Sequence, residues 1–220
     1  MGNISNQDEI EALLKQGVVT LQLKLDDKQI NQLLSYLLLL IKWNGVYNLT
    51  SVRDPVDMVK QHLLDSLSAA FAFNQAKNVL DVGSGGGLPG IVLAIVYPET
   101  KISLIDTVNK KTAFLKQVKA ELGLDNVTVY TGRVEQLAMT ELFDVITSRA
   151  FSELANFVNW AGHLLASGGH MLALKGQLPE GEIAVLPEGW TLVKTQQIVV
   201  PGLDAQRHLL WLERQNNVGK

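Results

Sequence analysis

Asp81-Val82-Gly83-Ser84-Gly85-Gly86-Gly87-Leu88-Pro89-Gly90 is the stretch that decides the fold. A short apolar run, Val79 to Val82, precedes it, and a second, Ile91 to Val96, follows it. Strand, glycine loop and helix in that order make a turn whose backbone can approach a ligand, because glycine has no Cβ. In open α/β sheets such a ligand lies at the carboxyl ends of the strands. The loop holds five glycines between positions 83 and 90. Each costs about 0.5–1 kcal/mol of conformational entropy, so turning the chain does not by itself account for so many.

Two ligands fit the loop. Gly85, Gly87 and Gly90 spell G-x-G-x-x-G, a weak signal for a dinucleotide. Asp81, Gly83, Gly85 and Gly87 spell D-x-G-x-G-x-G, the form used for S-adenosylmethionine. Asp106 ends the next strand-like run, where a carboxylate can accept both ribose hydroxyls. Both ligands carry that ribose, so Asp106 does not separate them. An acid just before the glycines suits a sulfonium cation and repels a pyrophosphate, which favours adenosylmethionine and leaves the dinucleotide open.

Outward from the loop the chain alternates. Strands read at 101–106, 127–130, 143–147 and 170–174, and helices at 89–97, 109–122 and 153–165. Gly123 reads as a helix stop and Gly168-Gly169 as an exit turn. The last two strands, 191–200 and 208–213, follow one another through Pro201-Gly202 without a helix. Alternation predicts a parallel sheet wound with helices on both faces, and the closing pair predicts an antiparallel edge. The first 70 residues read as helices: a short piece at 8–15, a longer one from Asp26 or Asp27 to about Trp43, stopped by Asn44-Gly45, and a third restarted by Asp54-Pro55. That third helix carries Met58, His62, Asp65 and Ser66, and the spacing of His62 and Asp65 suggests a contact along it.

Composition excludes several chemistries. The chain of 220 residues has no cysteine. Disulfides, Cys-ligated zinc and iron–sulfur centres are ruled out, as is C5-pyrimidine methylation through a thiolate. No metal site is expected. The formal charge is −3, from 19 basic and 22 acidic residues, so any nucleic-acid contact must be a local patch. The lysines at 110, 111, 116 and 119 read as a solvated helix face. Leu33 to Ile41 is too short for a membrane helix. The acidic, polar N-terminus does not read as a signal peptide, and the expected compartment is the cytoplasm.

After the fourth strand stands Thr147-Ser148-Arg149-Ala150-Phe151. Exocyclic-amine methyltransferases place an Asn-Pro-Pro-aromatic run there; this chain offers a cation and a ring instead. A ring nitrogen such as guanine N7 has a free lone pair, so its methylation needs alignment more than a general base. Phe151 is placed to stack a displaced base. Arg149 beside a sulfonium needs an anion, for which the cofactor carboxylate, Glu135 and an RNA phosphate are the candidates.

Taken together, Trp43-Asn44-x-x-Tyr47-Asn48-Leu49-Thr50, His62-Leu63-Leu64-Asp65-Ser66, the Asp81–Gly90 loop, Ser148-Arg149-Ala150-Phe151, Leu174-Lys175-Gly176 and Arg207-His208-Leu209 resemble the RsmG (GidB) family. These are bacterial 16S rRNA guanine-N7 methyltransferases. The resemblance implies an α/β class I, Rossmann-like methyltransferase with a seven-stranded, mostly parallel sheet and a helical extension. The extension is expected at 1–70 and the methyltransferase domain at 71–220. The resemblance also implies adenosylmethionine as donor, guanine 527 of 16S rRNA as acceptor, and the small ribosomal subunit or its assembly intermediate as partner. The expected state is a monomer. Gly83, Gly85, Leu88, Asp106, Val134, Glu135 and Arg149 are implied at the cofactor, Arg149, Phe151 and Lys175 in the active site, and Arg133 and Arg207 on the RNA. Gly86 departs from members that carry proline there. An oxidoreductase would need a hydride-site set such as Ser-Tyr-Lys, which cannot be placed. A non-catalytic RNA-binding factor would not need the intact glycine loop.

Overall fold

The computed structural model describes residues 7–150 and 152–215. Seven strands form one sheet: β1 (Asn78–Val82), β2 (Lys101–Asp106), β3 (Val127–Thr131), β4 (Phe143–Arg149), β5 (Leu165–Lys175), β6 (Trp190–Ile198) and β7 (Arg207–Arg214). Their order is β3-β2-β1-β4-β5-β7-β6. The first five pair in parallel, and β7 runs antiparallel to both β5 and β6. The order reverses at β1, whose neighbours are β2 and β4, so the chain leaves the carboxyl ends of β1 and β4 in opposite directions. A crevice opens between those departures.

The strands bury both faces. Val79 belongs to the core on one side, and Leu80 and Val82 to the core on the other. Helices α1 (Gln7–Thr20), α2 (Asp27–Tyr47), α5 (Gly90–Val96) and α6 (Asn109–Leu122) cover the first face. Helix α7 (Leu154–Ala161) covers the second. Gly123 ends α6 at φ 63°, as expected from sequence. The first core is continuous from Ile10 and Leu33 through Phe114 to Val145 and Leu209, so the N-terminal helices share it with the sheet.

Helix α2 starts at a full capping box: Asp26 Oδ1 accepts from Gln29 N–H at 2.8 Å, and Gln29 Oε1 accepts from Asp26 N–H at 3.0 Å. The helix does not stop at Asn44-Gly45 but continues to Tyr47, and Asn48 is left-handed at φ 51°. The Asn44 side chain is committed elsewhere. Its amide donates to Val52 O and its oxygen accepts from Thr50 N–H, closing the loop after the helix.

The third helical stretch is not regular. Helix α3 (Pro55–Met58), capped by Asp54, passes into a π turn at Val59–Leu64 and then into α4 (Asp65–Ser68). The π turn inserts a residue into the helical repeat; Asp65 still acts on the His62 imidazole electrostatically, favouring its charged form, but the two side chains share no hydrogen bond among the described residues. His62 Nε2 instead lies 2.9 Å from Thr50 Oγ1. Strand β5 also starts earlier than sequence indicates, taking in Gly168 and Gly169, with an irregular register between Phe143↔Leu165 and Val145↔His170. A short α8 (Glu180–Ala184) has no counterpart in the sequence reading. Among the described residues no helix is long and apolar enough to cross a membrane.

Candidate active site

The glycine loop is held from three sides. Gly85 lies at φ +56°, where an L side chain is strained, and its N–H donates to Asp106 Oδ2 at 3.0 Å. The Tyr36 hydroxyl, fully buried on α2, donates to Gly86 O at 2.6 Å. Gly90 admits no Cβ: one built there would meet Leu104 Cδ2 at 2.1 Å and Asp81 Oδ2 at 2.7 Å. Asp81 Oδ2 accepts from Gly90 N–H at 3.0 Å, so this acid secures the start of α5. Its other oxygen is buried without a partner among the described residues. Burial pushes the carboxyl up to about 7, with the Gly90 N–H and then Arg149 pulling it back.

A cavity of about 370 Å³ opens at the carboxyl ends of β1, β2 and β3. Gly83, Asp106, Arg133, Val134 and Glu135 all line it, with Lys111 and Trp160. Asp106 enters half-engaged: Oδ1 accepts from Val108 N–H at 2.9 Å, and Oδ2 takes Gly85 N–H with Lys111 Nζ at 3.7 Å. A carboxylate has about four acceptor positions, so each oxygen retains room for a hydroxyl. Arg133 Nη1 pairs with Glu135 at 3.7 Å, which places this arginine at the mouth of the same cavity. Gly85 and Leu88 are not part of its wall. Gly85 acts on it through Asp106, and Leu88 is packed into the core. A positive-φ glycine turn, a strand-end carboxylate and an apolar wall suit a nucleoside such as that of adenosylmethionine. Gly83, Asp106, Val134 and Glu135 would hold it.

A second cavity, of about 430 Å³, lies between β4, β5, β7 and the segment Thr50–Asp65. It gathers Arg149, Lys175 and Arg207 with His62, Asp65 and Gly176. Arg149 therefore stands on this side and not in the wall of the first cavity. Within the chain its carboxylate partner is Asp65 and not Glu135. Arg149 Nη1 donates to Asp65 Oδ2 at 2.8 Å and to Gln61 O at 2.9 Å. Arg207 Nε donates to the other oxygen, Asp65 Oδ1, at 2.6 Å. Lys175 is neutralised too: its ammonium donates to Glu182 Oε2 at 2.9 Å and to Ser152 O at 3.2 Å. Burial and the nearby Arg149 push the His62 imidazole down to about 4, so it is neutral at physiological pH. Phe151 lies outside the described residues.

Ala150 lines both cavities. It directly follows Arg149 and lies at φ +53°, the left-handed region that costs an L residue about 1–2 kcal/mol. Strained residues persist where the surroundings hold them, and they cluster at functional sites.

Sequence reasoning missed Tyr36, Glu182 and Trp160, and placed Asp65 beside His62 without its two arginine partners. Only Asp65 stood in a motif that could have flagged it. Tyr36 is hidden in the apolar run of α2, and Glu182 in the short α8, which no sequence pattern announces.

The family model "rRNA small subunit methyltransferase G" matches residues 29–210. The ribosomal RNA small subunit methyltransferase G of Janthinobacterium sp. (strain Marseille) is 61% identical over 209 residues, covering 93% of this chain and 95% of the relative. That of Herminiimonas arsenicoxydans is 60% identical, covering 93% and 96%. Among solved structures, the N-methyltransferase NodS from Bradyrhizobium japonicum WM9, in complex with S-adenosyl-L-homocysteine, aligns with a TM-score of 0.54 at 15% identity, over 79% of this chain and 98% of that one. This last likeness concerns the fold: a class I, Rossmann-like methyltransferase. The site at the carboxyl ends of β1 and β4 and the match to these relatives over 93% of the chain converge, and the chain belongs to the rRNA small subunit methyltransferase G family.

Proposed function

We propose that the chain transfers the methyl group of S-adenosylmethionine to N7 of guanine 527 in 16S rRNA, acting as a cytoplasmic monomer on the small ribosomal subunit or its assembly intermediate. The chain is an S-adenosylmethionine-dependent rRNA methyltransferase, and family membership removes the dinucleotide reading. The observation that carries the finer reading is the pair of cavities meeting at Ala150. The first suits the donor and the second the acceptor base. The donor supplies a methyl group on a sulfonium sulfur, and the chain's part is to set the acceptor in line with it. Effective alignment of this kind is worth about 7–11 kcal/mol of barrier.

Three features favour a ring nitrogen. Thr147, Ser148, Arg149 and Ala150 stand where exocyclic-amine methyltransferases carry an Asn-Pro-Pro-aromatic run, and the chain has no cysteine to supply a thiolate. Burial leaves the His62 imidazole a weak base, with its pKa pushed down to about 4, and N7 carries no proton to remove. In this reading Gly83, Gly85, Leu88, Asp106, Val134 and Glu135 form or support the donor side. Arg149, Lys175 and Phe151 serve the acceptor, with Phe151 stacking the base, and Arg133 and Arg207 face the RNA. Residues 1–70 serve as a helical extension to the 71–220 domain, and among the described residues Tyr36 ties it to the glycine loop.

The test is methyl transfer from the tritiated donor to small-subunit rRNA, followed by borohydride–aniline cleavage. Cleavage at guanine 527 supports the reading. Label on an exocyclic amine or a ribose overturns it.

A further inference from the structure

We infer that Asp65 is a positioning residue. Its carboxylate holds Arg149 and Arg207 as a two-arginine receptor for one phosphodiester of the RNA beside the acceptor base. The inference rests on the acceptor reading of the second cavity. Asp65 is almost fully buried, with a side chain only 4% exposed. It starts α4, after the π turn, whereas Arg149 ends β4 and Arg207 starts β7. One carboxylate thus ties together three elements far apart in sequence, with one oxygen for each guanidinium.

The engagement leaves donors over. Arg149 uses Nη1 on Asp65 and Gln61, and its Nε and Nη2 have no partner among the described residues. Arg207 uses Nε on Asp65 and Nη1 on Gln206 O, and its Nη2 is likewise free among them. Guanidinium groups fixed in this way lose little further freedom when they take an oxyanion. The charges fit one anion of single charge. Arg149, Arg207 and Lys175 are cationic and Asp65 and Glu182 anionic, a balance of one positive charge. A phosphodiester carries one negative charge. Filling the receptor also matters for the chemistry, because methyl transfer moves positive charge from sulfur onto the base, and two unfilled guanidinium groups would oppose that.

Positioning and plain electrostatics predict opposite signs for Asp65→Asn. Removing the negative charge makes the cavity more cationic, so a purely electrostatic role predicts tighter RNA binding with transfer unchanged or faster. A positioning role predicts at least a tenfold fall in kcat/KM on small-subunit rRNA, with donor affinity kept within about twofold because the donor cavity is separate. Asp65→Glu keeps the charge and moves the oxygens by one methylene. It should show a similar fall, and it serves if the Asn variant does not fold. A double-mutant cycle completes the test: in an Arg149→Ala background, Asp65→Glu should add less than twofold. Wild-type turnover in either Asp65 variant overturns the inference. So does a full additional loss in the cycle, or a loss of donor binding in step with activity. Failure of the wild type to methylate small-subunit rRNA at all overturns the acceptor reading first and the inference with it.

Discussion

Tyr36 on α2 donates its hydroxyl to the carbonyl of Gly86 at 2.6 Å, so the N-terminal helices grip the glycine loop. The phenol is fully buried, and desolvation raises its pKa, which keeps it a donor at every ordinary pH. Tyr36→Phe removes one hydrogen bond and leaves a buried carbonyl unpaired, at a cost of about 1–3 kcal/mol. The expected outcome is a melting point lowered by several degrees together with weaker donor binding. A variant with normal donor affinity, measured by titration calorimetry, would show that the loop needs no support from α2.

Asp106 and the glycines separate two kinds of constraint. Asp106→Ala strips the partners from the Gly85 and Val108 N–H groups as well as the expected ribose acceptor. Donor binding should weaken by about 1.5–3 kcal/mol, the range for a charged hydrogen bond. Gly85→Ala meets only Gly83 O at 3.8 Å and pays mainly for φ, so about 1–2 kcal/mol of stability should be lost with the fold intact. Gly90→Ala collides with Leu104 and the Asp81 carboxylate, and should unfold the protein or shift its melting point far more than Gly85→Ala does. Melting curves of the two glycine variants check this ordering.

The sheet was legible because alternating strands and helices, plus two closing strands, allow few arrangements. The glycine loop and Asp106 were legible because both are local signals at strand ends. What escaped was set by contacts distant in sequence or by helix irregularity. The π turn at Val59–Leu64 has no glycine or proline to announce it, yet it decides where His62 and Asp65 sit. The Asp65 pairing with Arg149 and Arg207 spans most of the chain and leaves no spacing to read. Asn44-Gly45 looked like a helix stop because side-chain propensity says so, but Asn44 is used to close the following loop.

Two buried groups shape stability against pH in opposite senses. Asp81 rises from its ordinary 3.8 to about 7 in the fold, so the native state binds more protons across that window. Its contribution is fully present below 3.8 and is lost as pH rises towards 7. His62 falls from 6.5 to about 4, so its contribution is complete above 6.5 and is lost as pH falls towards 4. Between pH 4 and 6.5 the slopes oppose, and the effect of these two groups nearly cancels in the wild type. Urea denaturation across that range should show stability climbing with pH in Asp81→Asn and falling with pH in His62→Gln, each by a few kcal/mol. Parallel curves for the two variants would mean that other groups control the profile.

Ala150 offers the sharpest test of the two-cavity arrangement. It borders both cavities and holds φ +53°, so its side chain is both strained and small. Ala150→Gly removes the strain of about 1–2 kcal/mol at the expense of extra freedom in the unfolded chain. Its melting point should stay within a few degrees of wild type and methyl transfer should persist. Ala150→Val adds two methyl groups at the junction and places a β-branched residue where φ is least tolerant. Donor binding, read by titration, should weaken far less than transfer, because Ala150 only borders the donor cavity and Gly83, Asp106, Val134 and Glu135 are untouched. Transfer should fall at least a hundredfold, about 2.7 kcal/mol of barrier, since methyl and acceptor nitrogen no longer meet. Single-turnover rates with donor in excess isolate that step from RNA release. Wild-type rates in Ala150→Val would show that the methyl group does not pass this residue, and the acceptor would have to approach the donor cavity from another side.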